Sequence, residues 1–210
     1  MKKSLILLSI LILAFEANSQ PFNGTIEFRY LTQIDTNTNV YLVKDNIVRL
    51  DQYGKKSNAV EGSFIFDLKS NEIKAVNPKR KTWVLQKSET PQIIRGQCIV
   101  TKGASTKKIL GYKCQEYIVR NAEENVVITY WITSDKFEFF APLIKLWNRK
   151  DKQSIYFGQI SGLSKGSMPL LSEERQLSDG KMLTKLEATK IDLKAPSDES
   201  LQIPAGYTKF

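Results

Sequence analysis

The residue types in this chain exclude most familiar catalytic centres. The 210 residues include no histidine and two cysteines, so one chain cannot build a Ser-His-Asp or Cys-His centre, a histidine-bearing zinc site or a thiolate cluster. Ser105 and Lys108 have the S-x-x-K spacing, but they lie in a turn between strand-like runs, whereas the working motif opens a helix. Asp67 interrupts an apolar run and is typical of a strand end facing water. We predict no catalytic residue, no metal site and no cofactor.

The first nineteen residues have the composition of an export signal. Residues 1–3 are Met-Lys-Lys, residues 4–15 are almost entirely apolar and residues 17–19 are Ala-Asn-Ser, a pattern typical of a cleaved secretory signal peptide. No cysteine follows these small residues, so no lipid anchor is expected. We predict a signal peptide over 1–19 and a single exported domain over 20–210, located in the periplasm or outside the cell.

An uncleaved membrane anchor is the alternative interpretation of the apolar start. The apolar run is shorter than the ~20 residues that cross a bilayer. The densest later stretch, 137–147, contains Glu138, Pro142 and Lys145. We predict no transmembrane segment in the mature chain.

The two cysteines flank a turn-rich segment. Cys98 and Cys114 lie on either side of residues 102–107, whose middle is near Thr106. If the chain reverses there, the cysteines face each other across a hairpin within disulfide reach, and in an exported protein they are expected to oxidise. The spacing is not C-x-x-C, which argues against a redox-active pair. We predict a structural Cys98–Cys114 disulfide, with two free buried thiols as the alternative.

The chain is basic, with a formal net charge of +9. An excess of this size favours an anionic partner. The basic residues are dispersed, and their tightest run is Lys79, Arg80 and Lys81, directly after an Asn-Pro pair. We interpret this run as an exposed basic turn and predict no nucleic-acid binding.

Apolar residues alternate with polar ones from residue 21 onward, which is the two-residue period of half-buried strands. In the first run the apolar set contains Phe22, Ile26, Phe28 and Tyr30. Further strand-like runs cover residues 40–44, 47–51, 64–68, 72–76, 82–86, 109–120, 126–133, 154–160, 168–176 and 181–193. The order of these runs predicts a mainly β fold, a long antiparallel meander that twists and curls.

One helix interrupts this pattern. Phe140, Leu143, Ile144 and Trp147 recur at helical spacing, which predicts a helix over about 141–149 with proline in its first turn. Residues 126–132 are apolar on both faces, so something must cover that strand. We predict a curved, unclosed half-barrel with one principal helix packed on its concave face, and a closed ligand-binding barrel is the nearest alternative.

Four segments of the chain resemble a known family. They are Phe-Asn-Gly-Thr-Ile at 22–26, Lys-Ile-Leu-Gly-Tyr-Lys-Cys-Gln-Glu-Tyr at 108–117, Tyr-Trp-Ile-Thr at 130–133 and Ile-Pro-Ala-Gly-Tyr at 203–207. In this order they resemble the secreted bacterial proteins grouped as DUF4412, a domain of unknown function placed near the lipoprotein carriers LolA and LolB. The resemblance implies an unclosed antiparallel barrel with helices over its apolar face, in a Gram-negative cell envelope. It implies no reaction, and it does not supply Cys98 as a disulfide partner.

These patterns favour a binding function over an enzymatic one. We predict that a hydrophobic or amphiphilic ligand, such as a lipid or an acyl chain, lies between sheet and helix. The predicted lining residues are Trp131, Phe139, Phe140, Leu143, Ile144 and Trp147. The alternative is a structural or protein-interaction module of the envelope, with a filled core and a basic surface.

Overall fold

The computed structural model describes residues 21–54, 59–88 and 93–210. The predicted signal peptide, residues 1–19, lies outside these ranges. In them the chain forms strands β1 Gly24–Thr32, β2 Thr36–Lys44, β3 Ile47–Tyr53, β4 Val60–Asp67, β5 Glu72–Asn77, β6 Thr82–Gln86, β7 Ile99–Ile109, β8 Tyr112–Asn121, β9 Val126–Thr133, β10 Met168–Gln176, β11 Met182–Asp192 and β12 Thr208–Lys209. Two α-helices, α1 Phe140–Trp147 and α2 Lys152–Phe157, stand between β9 and β10.

All twelve strands belong to one sheet, in the order β12-β6-β5-β4-β3-β2-β1-β11-β10-β9-β8-β7. Neighbours are antiparallel, except that β12 runs parallel to β6. Two meanders, β1 to β6 and β7 to β11, join where β11 pairs with β1 at the centre. Because β7 and β12 form separate edges, the described sheet does not close. The predicted mainly β, unclosed antiparallel architecture is confirmed, and the closed barrel is wrong.

The two faces of the sheet differ because strand side chains alternate. The face covered by the helices, called here the inner face, carries buried apolar residues, among them Ile26, Phe28, Val48, Leu50, Phe66, Ile128 and Ile132. The outer face carries charges. Arg29 donates to Glu187 at 3.0 Å, and the ammonium of Lys185 lies 3.2 Å from the same carboxylate. This division leaves one apolar surface for the helices to cover.

The predicted Cys98–Cys114 disulfide is absent, and both thiols are free. The β7–β8 hairpin turns at Leu110 and the next glycine, both at positive φ, about four residues later than the prediction placed it. Cys114 therefore lies opposite Lys107. Cys98 lies at the other end of β8, where its Sγ is 3.8 Å from Asn121 Nδ2. The seven residue-to-residue steps from 114 to 121 in β8 span about 23 Å, and a disulfide tolerates at most ~7 Å between Cα atoms.

The helical layer contains one helix more than the sequence predicted. Helix α1 begins one residue before the predicted 141–149 and ends two residues earlier. The strand predicted over 154–160 is wrong, because this stretch contributes most of α2. The buried residues Gln153, Tyr156, Phe157 and Ile160 follow the i, i+3, i+4, i+7 spacing of an amphipathic helix. Asp151 caps α2 by accepting a hydrogen bond from Ser154 N at 2.9 Å.

The C-terminal segment is held against the outer face by Arg49. Its Nη1 donates to the carbonyl oxygens of Ser200 and Gln202, both at 3.1 Å. Its Nε donates to Asp51 Oδ1 at 2.7 Å, and Ser63 Oγ donates to the same oxygen at 2.6 Å. Beyond this clamp the chain reaches the sheet edge as β12.

Candidate functional site

A cavity of about 390 Å³ lies between the inner face and the two helices. The sheet contributes side chains from β1 to β4 and from β9 to β11, and the helical layer contributes α1, α2 and the connection between them. The cavity therefore lies at the centre of the sheet, where β11 pairs with β1 and the two meanders join.

One wall of the cavity is apolar. Phe140, Leu143, Ile144 and Trp147 of α1 line it, together with Phe157 of α2. The Phe140 and Phe157 rings meet edge to face, with their centroids 5.3 Å apart. Four of the six residues predicted from the sequence to line a ligand site therefore lie together on this wall.

Trp147 also anchors α1 to the sheet. Its ring centroid lies 5.3 Å from that of Phe64 and 5.1 Å from that of Phe66, both on the inner face of β4. Aromatic contacts of this kind stabilise by about 0.5–1.5 kcal/mol each beyond the area they bury. The position of the apolar wall is therefore set by packing.

The other two predicted residues lie elsewhere. Phe139 is 7% exposed and packs against Phe22, with ring centroids 5.9 Å apart, so it is a core residue. Trp131 alternates with Tyr130 in β9 and lies on the outer face. There the Lys107 ammonium stands 3.9 Å from its ring centroid, a cation–π geometry. Neither residue is among those that line the cavity.

The opposite wall is polar, and the sequence patterns did not predict it. Tyr30, Tyr41 and Tyr130 line the cavity, together with the amides of Asn37 and Asn39. On β1 and β2 these side chains share the inner-face alternation with apolar core residues. One signal in the sequence could have located this wall. Polar residues occupy inward-facing positions of strands that are otherwise apolar on that face.

The tyrosines of this wall remain uncharged donors near neutral pH. Burial raises the pKa of Tyr41 to about 12, after the lowering by Arg149 and the smaller raising by Asp151 are included. Burial also raises the pKa of Tyr30 and of Tyr130, and Asp151 adds to both effects. The wall is therefore neutral, and Tyr41, Asn37 and Asn39 are its hydrogen-bonding groups nearest in kind to what a polar ligand group would need.

Helix α2 is attached to the sheet through Gln153, a cavity residue that is 6% exposed. Its Nε2 donates to Thr184 Oγ1 at 2.7 Å, and its Oε1 accepts from the Ser172 hydroxyl. The Tyr130 hydroxyl donates to the Gln153 carbonyl at 2.7 Å. Buried polar groups satisfied in this way hold one arrangement, because any displacement leaves them unpaired.

A second polar contact holds the other side of α2. Glu124, in the β8–β9 turn, accepts from the Tyr156 hydroxyl at 2.7 Å and from Arg95 N at 2.9 Å. The Lys152 ammonium lies 3.1 Å from the same carboxylate. Burial alone would raise the pKa of Glu124, but these donors outweigh it and lower the pKa to about 2. We call this group the Glu124 clamp.

The predicted basic turn lies outside the cavity. Lys79, Arg80 and Lys81 are exposed between β5 and β6, and Lys81 has a φ of 50°. Its carbonyl accepts a hydrogen bond from Thr208 N at 3.0 Å, which begins the pairing of β12 with β6. None of these three residues lines the cavity.

The described residues contain neither a cluster for a metal ion nor a helix that could span a membrane. In the ranges 21–54, 59–88 and 93–210, no group of three or more histidine, cysteine or carboxylate side chains is arranged to hold a metal ion. No helix within the same ranges has the length and apolar character needed to cross a bilayer.

The chain is similar to several solved structures of low sequence identity. An uncharacterized conserved protein from Thermus thermophilus is 12% identical with a TM-score of 0.50, over 92% of this chain and 91% of that one. PNGF-II is 16% identical with a TM-score of 0.47, over 90% of this chain and 31% of that chain. This chain thus spans less than a third of PNGF-II. A LolA superfamily protein from Nitrosomonas europaea is 10% identical with a TM-score of 0.35, over 88% of this chain and 91% of that one.

No curated protein sequence matches the chain. At the level of families, one model matches residues 22–207. This span contains β1, both helices, the cavity and the Arg49 contacts to Ser200 and Gln202. The resemblance carried by the four sequence segments is thereby confirmed. The chain belongs to the DUF4412 family, a domain of unknown function.

Proposed function

We propose that the protein is a non-catalytic binding protein or carrier for a hydrophobic or amphiphilic molecule, such as a lipid or an acyl chain, held in the cavity between the inner face and α1. The supporting observation is the division of the cavity into an apolar wall and a neutral polar wall. An apolar chain fits against Phe140, Ile144 and Phe157, and neutral donors such as Tyr41 suit a polar group. Concave sites with mostly apolar walls and a few oriented polar groups are typical of small-molecule binding.

The residue types in the cavity support the absence of catalysis. Its charged lining residues are Glu61, Arg149 and Asp151. Asp151 is occupied in capping α2, and the Arg149 guanidinium lies 4.5 Å from the ring centroid of Trp147. An acid and a base must both reach the substrate for general acid–base catalysis, and of the two lining carboxylates, Glu61 and Asp151, the second is occupied in capping α2. In this proposal the protein acts after export, as residues 1–19 predict.

Gly62 offers a direct test of occupancy. It lines the cavity, and a Cβ added there would meet only Gln52 Oε1, at 4.0 Å. Gly62→Leu therefore projects a side chain into the cavity without a backbone clash. Leu143 is a poorer position, because it is 1% exposed and its replacement would test folding instead of binding.

The experiment compares the exported protein with Gly62→Leu and Gly62→Ala. Native and denaturing mass spectra reveal a co-purified ligand, and titration with a fluorescent fatty acid gives the affinity. We expect Gly62→Leu to weaken binding about tenfold or more, ~1.4 kcal/mol, while Gly62→Ala stays close to the wild type. Equal binding by all three proteins would contradict the proposal, and absence of any ligand in the wild type would favour the interaction-module alternative.

A further inference from the structure

A second, more open groove of about 600 Å³ lies among α1, α2 and residues 158–167. Its apolar lining includes Ile144, Ile155, Ile160 and Leu163. Ile155 and Leu163 are only partly buried and pack against the core cluster beneath the helices. The groove therefore presents an apolar floor at the surface of the helical layer.

The rim of this groove carries a single sign of charge. Its charged lining residues are Lys145, Arg149 and Lys165, with no carboxylate among the lining residues. All three side chains are exposed. Within the described ranges none of them forms an ion pair, although eight other basic side chains do. Three unneutralised cations around an apolar floor constitute a site for an amphiphile with a negative head.

We propose that this groove docks the protein onto a negatively charged lipid surface, with headgroup phosphates at Lys145, Arg149 and Lys165 and acyl carbons on the apolar floor. Membrane-surface binding scales with buried apolar area plus attraction to anionic headgroups, and the groove supplies both. A nucleic acid or a free polyanion would match the charges but would leave the floor in contact with water. This site goes beyond the cavity and does not require the cavity to be occupied.

The groove and the cavity are adjacent. Ile144, Arg149, Ser154 and Phe157 line both, so α1, α2 and the connection between them form the partition. A lipid docked at the groove would therefore lie one side-chain layer from the cavity.

The test uses vesicles of phosphatidylcholine with and without about 30% phosphatidylglycerol, and protein purified after export of the full chain. We expect cosedimentation with the anionic vesicles at low salt. Lys145→Gln with Lys165→Gln should weaken it about tenfold or more, since each basic residue at an anionic surface strengthens binding roughly fivefold. Lys79→Gln with Lys81→Gln removes the same charge at the basic turn, which does not line the groove, and should change the binding less than about threefold.

Each outcome decides the proposal. Equal losses in the two double variants would overturn it, because net charge alone would then explain binding. Equal binding to both vesicle types would overturn the headgroup assignment, and no vesicle binding by the wild type would overturn the lipid partner. Thermal unfolding confirms that the variants are folded. If the double variant is unfolded, Lys145→Gln alone is used in its place. Because Gly62→Leu leaves the groove unchanged, it should bind anionic vesicles normally even where cavity binding is lost.

Discussion

Removing the Tyr156 hydroxyl tests whether the Glu124 clamp stabilises the helical layer. Hydrogen bonds to charged groups contribute about 1.5–3 kcal/mol. In Tyr156→Phe the carboxylate keeps Arg95 N and Lys152 as partners, so we expect the lower value, ~1.5 kcal/mol at pH 7. For a domain of this size that corresponds to a fall in Tm of about 3–6 °C.

The pH dependence of this loss follows from the pKa of Glu124, which is about 2 in the folded chain against an ordinary value of 4.5. A lowered folded-state pKa means that the stabilisation is fully present above about pH 4.5 and disappears as the pH falls towards 2. Tyr156→Phe raises the folded-state pKa towards its ordinary value. The stability difference between wild type and Tyr156→Phe should therefore shrink as the pH falls from 4.5 to 2.

Urea unfolding at pH 7, 4 and 2.5 measures both effects. Tyr117→Phe is the matched control, since Tyr117 packs against the same cluster and its hydroxyl forms no hydrogen bond among the described residues. We expect this control to change the free energy of unfolding by less than about 0.5 kcal/mol. A Tyr156→Phe protein as stable as the wild type at pH 7, or one whose deficit is the same at pH 2.5, would refute the reasoning.

Two further predictions follow from other contacts. Because the hairpin register keeps Cys98 and Cys114 apart, the unreduced, denatured protein should react with two equivalents of a thiol reagent; in the folded protein Cys114 should react far more slowly, since it is fully buried and burial raises the pKa of its thiol to about 11. If the unreduced, denatured protein shows no free thiol, the Cys98–Cys114 disulfide is present and the reasoning from the register is wrong. Arg49→Met removes the donors to the Ser200 and Gln202 carbonyls, so we expect proteolysis within about the last 18 residues to accelerate while the remaining sheet persists. Unchanged cleavage would show that the other contacts of this segment, such as the Lys44–Asp198 ion pair and β12, hold it without Arg49.

The strands were predictable because their signal is local. Alternation of apolar and polar residues located both strands of the β2–β3, β4–β5 and β10–β11 hairpins within a few residues of the observed bounds. Asp45, which lies between β2 and β3 at a φ of 52°, marked its turn by residue type. The same locality explains α1, whose apolar residues recur at helical spacing over only two turns.

The errors arose where local patterns were ambiguous. Residues 154–160 contain both an alternation and a helical spacing, and the contacts of α2 with the sheet, through Gln153 and the Glu124 clamp, favour the helix. The β7–β8 turn was misplaced because small residues at 103–106 imitate a turn; in the structure they form a bulge, with Gln115 Nε2 donating to the Gly103 and Ser105 carbonyls. A shift of four residues in one turn was enough to separate the cysteines.

The sequence alone determined the fold class, the apolar stripe of α1 and the exclusion of histidine-based chemistry, because residue identity and short-range periodicity carry these properties. Tertiary structure decided which of the aromatic residues line a cavity, since Trp131 and Tyr130 are adjacent in β9 yet face opposite sides of the sheet. It also placed Tyr30 and Tyr41 across from α1, and gathered Lys145, Arg149 and Lys165 around one groove. Such groupings depend on strand register and on how the helices pack, neither of which a single strand or helix specifies.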